Sequence, residues 1–143
     1  MKRSYPGVII HCSESHFGNA QEIELWHRQR GWDGIGYHLV ILNGHVENNT
    51  YLEFMNGQIE MGRDWDKAGA HAKGYNDYLG ICLIGNEQFS TRQYEALQTV
   101  LNSLVQQYDW TKENILFHYE VSSKSCPNFD KEWFLENFMP ALV

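Results

Sequence analysis

The stretch FHYEVSSKSCP, residues 117–127, carries a histidine, a lysine and a cysteine at close spacing. His118 ends an apolar run, NILFH, that reads as a buried strand. Cys126 follows in a polar loop, with Lys124 two residues before it. A second histidine, His11, closes another apolar run, PGVIIH. Two imidazoles and a thiolate brought together at strand ends are the donor set of a catalytic zinc site. Such a site keeps three protein ligands and leaves the fourth position to water. Buried cysteines and hydrogen-bonded histidines are also common without a metal, so the rest of the chain has to decide.

Strand alternation narrows the choice of ligands, because adjacent strand residues point to opposite faces. A His11 that faces such a site turns Cys12 away from it. The same rule sets Tyr37 opposite His38 and separates His118 from Tyr119. Cys12 is therefore disfavoured as a co-ligand, and Cys126 is left as the thiolate.

The elements that must position these residues alternate along the chain. Residues 7–12 read as a short strand. Asn19, with Glu22 three residues on, caps a helix running to about Arg30. Ile23, Trp26 and the stem of Arg30 share one face of it, and Gly31 is its stop. GYHLVIL, residues 36–42, is a second strand. YLEFM and QIEMG flank Asn56-Gly57, a dipeptide that predicts a two-residue hairpin turn. YLGICLIG, residues 78–85, is a central strand. Ser90 and Gln93 cap a helix reaching about Tyr108, with Tyr94, Leu97, Leu101, Leu104, Val105 and Tyr108 on one stripe. NILFH is the last strand, and a short helix starts near Asp130. This order predicts an α/β fold, a single-layer mixed, largely buried β-sheet flanked by helices. Ligand sites in open α/β sheets lie at the carboxyl ends of strands, where His11 and His118 fall.

The 143 residues fit one domain, spanning 1–143, without repeats or linker-like segments. A net charge of −7 without a basic block argues against nucleic acid, where phosphate neutralisation dominates affinity. It also gives no support to a polybasic membrane-surface mode, and no stretch approaches a membrane span, so membrane insertion is not expected. The N-terminus, MKRSYPGVII, has neither a long apolar core nor a small-residue cleavage site, and no secretory signal is expected. Three cysteines, without disulfide-framework spacing, point to a reduced compartment or a metal role. Aromatic residues make up 14%, and core packing accounts for most of them before a sugar or peptide groove does.

The chain resembles the zinc N-acetylmuramoyl-L-alanine amidases of the amidase-2 and peptidoglycan-recognition type, nearest to the endolysin branch of T-odd coliphages. The resemblance rests on HCS at 11–13, GYH at 36–38, GRD at 62–64, GAHAKGYN at 69–76, LGICLIG at 79–85 and HYEVSSKSCP at 118–127. It implies that His11, His118 and Cys126 bind one zinc ion per chain, and that Tyr37 and Lys124 are the catalytic side chains. It also implies that GAHAKGYN lines a substrate groove, with His71 and Asn76 as contacts. Physical chemistry suits those roles. Lys124 is fixed near a ligand and can meet negative charge developing on an amide oxygen. Tyr37, with an ordinary pKa of ~10, positions first and moves a proton second.

The substrate so implied is peptidoglycan or a muropeptide, cut between N-acetylmuramic acid and L-alanine by a monomer. A phage or prophage enzyme without a signal is made in the host cytoplasm. It reaches the wall through a separate pore, or stays cytoplasmic if it recycles wall fragments. Two other classes stand beside this one. A non-catalytic muropeptide-recognition module fits the family, but loss of the cysteine ligand commonly accompanies loss of catalysis there, and Cys126 is present. Some phage relatives also bind and restrain the phage RNA polymerase, which makes that enzyme a further implied partner. A glycosidase would need a motif-selected pair of carboxylates, and HExxH is absent.

Relative to its relatives the chain carries an insertion at 43–57, NGHVENNTYLEFMNG, expected to extend a hairpin beside the groove. His16, His27 and His45 lack motif context and are expected at the surface. His38 and Cys82 read as core residues on buried strands. Trp65, after GRD, reads as packing or as the border of the groove.

Overall fold

The computed structural model describes residues 4–143. Residues 1–3, the start of the stretch read for a leader, lie outside the described residues. Five strands form one sheet: β1 (Val8–Cys12), β2 (Leu39–Glu47), β3 (Thr50–Met61), β4 (Leu79–Leu83) and β5 (Ile115–Phe117), in the order β3-β2-β4-β1-β5. β1 runs parallel to β4 and β5, β2 runs parallel to β4, and only β3 is antiparallel to its neighbour. The carboxyl ends of β1 and β5 therefore lie at the same edge of the sheet. Every residue of β1 and β4 is buried, which is why both read as unbroken apolar runs rather than alternating ones.

Three helices, α1 (Ala20–Gln29), α2 (Thr91–Tyr108) and α3 (Lys131–Phe138), cover the two faces. On one face Leu97, Leu101 and Leu104 of α2 and Phe134 and Leu135 of α3 meet Val8, Ile10, Leu39, Ile41, Ile81, Leu83 and Phe117. On the other, Ile23 of α1 meets Val40, Leu42, Cys82 and Ile84. His11 alternates with Ile10 and so belongs to the α1 face. Asn19 caps α1 by accepting from the backbone of Glu22, and Ser90 with Gln93 closes a capping box on α2. Gln93 is fully buried, and its Nε2 donates to the carbonyls of Ile41 and Ile84, which ties the start of α2 to the sheet. No helix among the described residues is long and apolar enough to cross a membrane.

The hairpin differs from expectation. Glu47 pairs with Thr50, so the turn is Asn48-Asn49, and Asn56-Gly57 sits inside β3. There Asn56 pairs with Asn43 between two shifts of register, a bulge. Gly57 does adopt positive φ (+87°), but a Cβ on it would fall 2.8 Å from Cβ of Arg92. The dipeptide thus serves the close approach of α2 to the sheet rather than a chain reversal. Segment 43–57 forms the distal half of this hairpin at the sheet's edge, and none of its residues lines the cleft described below.

Candidate active site

His11 is the penultimate residue of β1, β5 delivers His118 one residue past its end, and the loop that follows returns Cys126 to the same edge. The Cys126 carbonyl accepts from Tyr119 N at 2.9 Å, which closes that loop. The ligand atoms of His11, His118 and Cys126 all lie within 4.8 Å of one another. The His11 and His118 rings are 4.4 Å apart. Cys12 N donates to Cys126 Sγ at 3.0 Å, a bond that favours the thiolate form. Contact with the Cys12 thiol, and after it burial, pushes the Cys126 thiol up. Burial, followed by the charges of His71, His118 and Lys124, holds His11 well below the ordinary histidine value.

A metal fits these residues on two observations. Nδ1 of His118 is buried without a hydrogen-bond partner, an orphaned lone pair or proton beside the other two donors. Two imidazoles and a soft thiolate are also a donor set that selects zinc.

Tyr37 reaches the cluster with its ring 5.0 Å from that of His11. Residues 36–38 precede β2, so strand alternation does not govern them. The rings of Tyr37 and His38 lie 6.4 and 6.0 Å from the His71 ring. Burial pushes the Tyr37 hydroxyl well above its ordinary value, so it is a neutral donor. Lys124 is exposed at the rim, with its backbone N–H on Ser122 Oγ at 3.2 Å; burial, and after it the Lys124 charge, lowers His118, and the same charge adds to the lowering of His11.

A cleft of about 130 Å³ opens beside the cluster and is lined also by Glu14, Trp26, His27, Arg30 and Trp32. It continues into a wider groove of about 470 Å³ that carries Trp32, His71, Lys73, Asn76, Ser122 and Lys124. His71 and Asn76 thus border the groove, but much of their hydrogen-bonding capacity is spent inside the protein. Asn76 Oδ1 accepts from the backbone N–H groups of His71 and Ala72, and His71 bonds through both ring nitrogens.

His27, Glu14 and Trp32 line the cleft and were missed in the sequence. His27 is buried, not exposed; its Nδ1 accepts from Gly36 N at 3.0 Å, and its ring lies 5.5 Å from Tyr37. Its place between Trp26 and Arg30 on the inward stripe of α1 was the available signal. Glu14 follows the strand end with φ +57°, a left-handed conformation rare outside glycine, held by its N–H on the Gly85 carbonyl at 2.9 Å. No local pattern marks it. His45 is half-buried rather than exposed, its ring 4.3 Å from exposed His16. His38 and Cys82 are fully buried, as expected. Trp65 packs edge-on against Tyr5, outside the cleft.

Comparison with known proteins supplies the family. The N-acetylmuramoyl-L-alanine amidase family matches residues 1–129. The endolysin of Klebsiella phage KP32 is 34% identical over 91% of this chain and 85% of its own length. The endolysin of Escherichia phage T7 is 32% identical over 95% of this chain and 89% of its own length. Among solved structures, the N-acetylmuramoyl-L-alanine amidase LysC from Clostridium intestinale URNW superposes with a TM-score of 0.78 at 28% identity, covering 94% of this chain and 85% of that one. With its mixed sheet, its cluster of two histidines and a cysteine, and these likenesses across nearly its whole length, the chain belongs to the N-acetylmuramoyl-L-alanine amidase family.

Proposed function

We propose that His11, His118 and Cys126 hold one zinc ion per chain, and that Tyr37 and Lys124 act beside it in the reaction of the family. That reaction is hydrolysis of the amide between N-acetylmuramic acid and L-alanine in peptidoglycan, and the chain performs it as a phage endolysin. The observation that carries the metal reading is the convergence of the three ligand atoms within 4.8 Å, with Nδ1 of His118 buried and unpartnered. Bound there, zinc would supply a Lewis acid and lower the pKa of its water toward ~7.

The chain's own residues do the rest. Cys12 N–H fixes Cys126 Sγ and helps keep it deprotonated as a ligand. Lys124, on the loop that carries Cys126, donates to the amide oxygen as negative charge develops on it. Tyr37, neutral because burial raises it, hydrogen-bonds as a donor and relays a proton. It gives its own to the leaving amine as the carbon–nitrogen bond breaks and takes back the one released by the attacking water. Trp32, Lys73 and Ser122 line the groove along which the peptide lies. The protein works as a monomer on the wall after release from the cytoplasm. Because wall polymers are anionic and the chain carries −7, activity rises with salt or divalent cations that screen the repulsion.

Purified protein incubated with peptidoglycan, with and without a zinc chelator, tests this by mass spectrometry. Stem peptides beginning at L-alanine, lost on chelation and restored by zinc, are the expected products. Intact peptidoglycan from folded, zinc-loaded protein would sink the reading and favour a muropeptide-binding module.

A further inference from the structure

The loop from Gly69 to Asn76 lays an imidazole where the sheet leaves room for one. β1 and β4 pair Ile9 with Gly80 and His11 with Cys82, so Gly80 stands beside His11 on the α1 face. A Cβ on Gly80 would fall 2.7 Å from Cδ2 of His71, and one on Gly69 only 2.3 Å from the same atom. The two glycines therefore make the cradle that the His71 ring occupies. Asn76 braces the loop from within, its Oδ1 accepting from His71 N and Ala72 N at 2.9 and 3.0 Å and its carbonyl from Gly69 N at 2.8 Å.

Held this way, His71 is bonded through both ring nitrogens. Nε2 lies 2.9 Å from the Tyr78 carbonyl oxygen, and Nδ1 lies 2.9 Å from Nε2 of His11. A carbonyl oxygen can only accept, so Nε2 of His71 carries the proton. Nδ1 of a neutral imidazole is then an acceptor, and Nε2 of His11 must be the donor. The lone pair of His11 is left on Nδ1.

We propose that His71 is a positioning residue of the metal-binding group, holding His11 in the tautomer whose Nδ1 is free to bind zinc. The inference rests on the zinc reading above and gives His71 work inside the protein rather than on the substrate. Metal-ligating histidines commonly donate their second N–H to a carbonyl, carboxylate or water. Here a second histidine takes that place and passes the constraint to the Tyr78 backbone.

The test uses the full, zinc-loaded chain. Long-range ¹H–¹⁵N NMR identifies which nitrogen of His11 carries the proton. Competition with a chromogenic chelator gives the zinc Kd of the wild type, His71→Ala and His71→Asn. The expected results are a His11 protonated on Nε2 and zinc bound about 10–100-fold more weakly by His71→Ala. His71→Asn should recover part of that loss, since Oδ1 replaces the lost acceptor, and circular dichroism should match across the three. A wild-type His11 protonated on Nδ1 overturns the proposal without recourse to any variant. So does an unchanged Kd in His71→Ala accompanied by a raised KM, which would return His71 to substrate contact. Wild-type protein with no measurable zinc affinity would instead refute the zinc reading, and with it the role given to His71.

Discussion

His27 makes stability depend on pH in a window that it shares with the depressed histidines His11, His45, His71 and His118. It is 5% exposed, and burial, then the charge of Arg30, lowers it from 6.5 to about 4. Its folded value is depressed, so the unfolded chain takes up the proton first as pH falls. Stability is therefore unaffected by this residue above about pH 6.5 and is lost progressively between there and about pH 4. At pH 5 the linkage amounts to about 2 kcal/mol relative to pH 7. The depressed carboxyls of Glu24, Asp33 and Glu113 start from ordinary values of 4.5 or below and act lower still. Protonation also abolishes the acceptor at Nδ1 that holds Gly36 N, one residue from Tyr37. Urea unfolding of zinc-saturated wild type and His27→Gln at pH 7 and pH 5 isolates the effect, since contributions from the metal site cancel in the difference. The wild type should lose about 2 kcal/mol more than the variant over that interval. Equal losses in the two proteins would refute the reasoning.

Cys126→Ser should lose zinc, read by elemental analysis after gel filtration; full occupancy in that variant would remove Cys126 from the ligand set. Lys124→Ala, at an exposed position, should keep zinc and its unfolding midpoint while turnover drops about 100-fold or more, as when an oxyanion donor is removed. Wild-type rates would exclude it from the mechanism. Tyr37→Phe should fold and bind zinc but cleave more slowly, by about 10²-fold if it transfers the proton, and an unaffected rate would leave it a packing residue. Ser90→Ala removes the side chain that accepts from Gln93 N, and should cost about 1 kcal/mol in denaturant unfolding with no change in zinc content.

What the sequence disclosed and what it hid divide along physical lines. The buried strands and the two long helices were legible because continuous apolar runs, caps at Asn19 and Ser90 and the stripe through Leu97, Leu101 and Leu104 are local signals. The grouping of His11 with His118 followed from their positions at strand ends, once β1 and β5 were parallel neighbours. Asn56-Gly57 misled because positive φ serves a bulge as well as a turn, and only the tertiary approach of Arg92 distinguishes the two. His27 was hidden because a histidine on an inward stripe looks like any polar interruption until its partner, Gly36 N, is known. The double bonding of His71 depends on Tyr78 O and on two glycines distant in sequence or across the sheet, none of which spacing reveals.

The insertion at 43–57 shows how far an edge addition can reach without touching the cleft. The loop after β1 carries Glu14 into the cleft wall and is pinned at three points: Ser13 N to Leu83 O, Glu14 N to Gly85 O, and Gly18 N to His45 O. The first two anchors belong to the central strand and its exit, but the third belongs to the added hairpin. Asn43 Nδ2 on the His16 carbonyl at 2.9 Å, and the His16 and His45 rings 4.3 Å apart, strengthen the same contact. The far side of the hairpin leans on α2 through Arg92 and Glu53, an exposed pair worth little by itself. The hairpin therefore bears on the chemistry through residues 13–18 and through Met55, which packs on the same apolar cluster as Tyr37 and Trp26. Substitutions that loosen it should alter the order of that loop before they alter the ligands at the ends of β1 and β5, whose own bonds run to the central sheet, to His71 and within the loop closed by Tyr119 and Cys126.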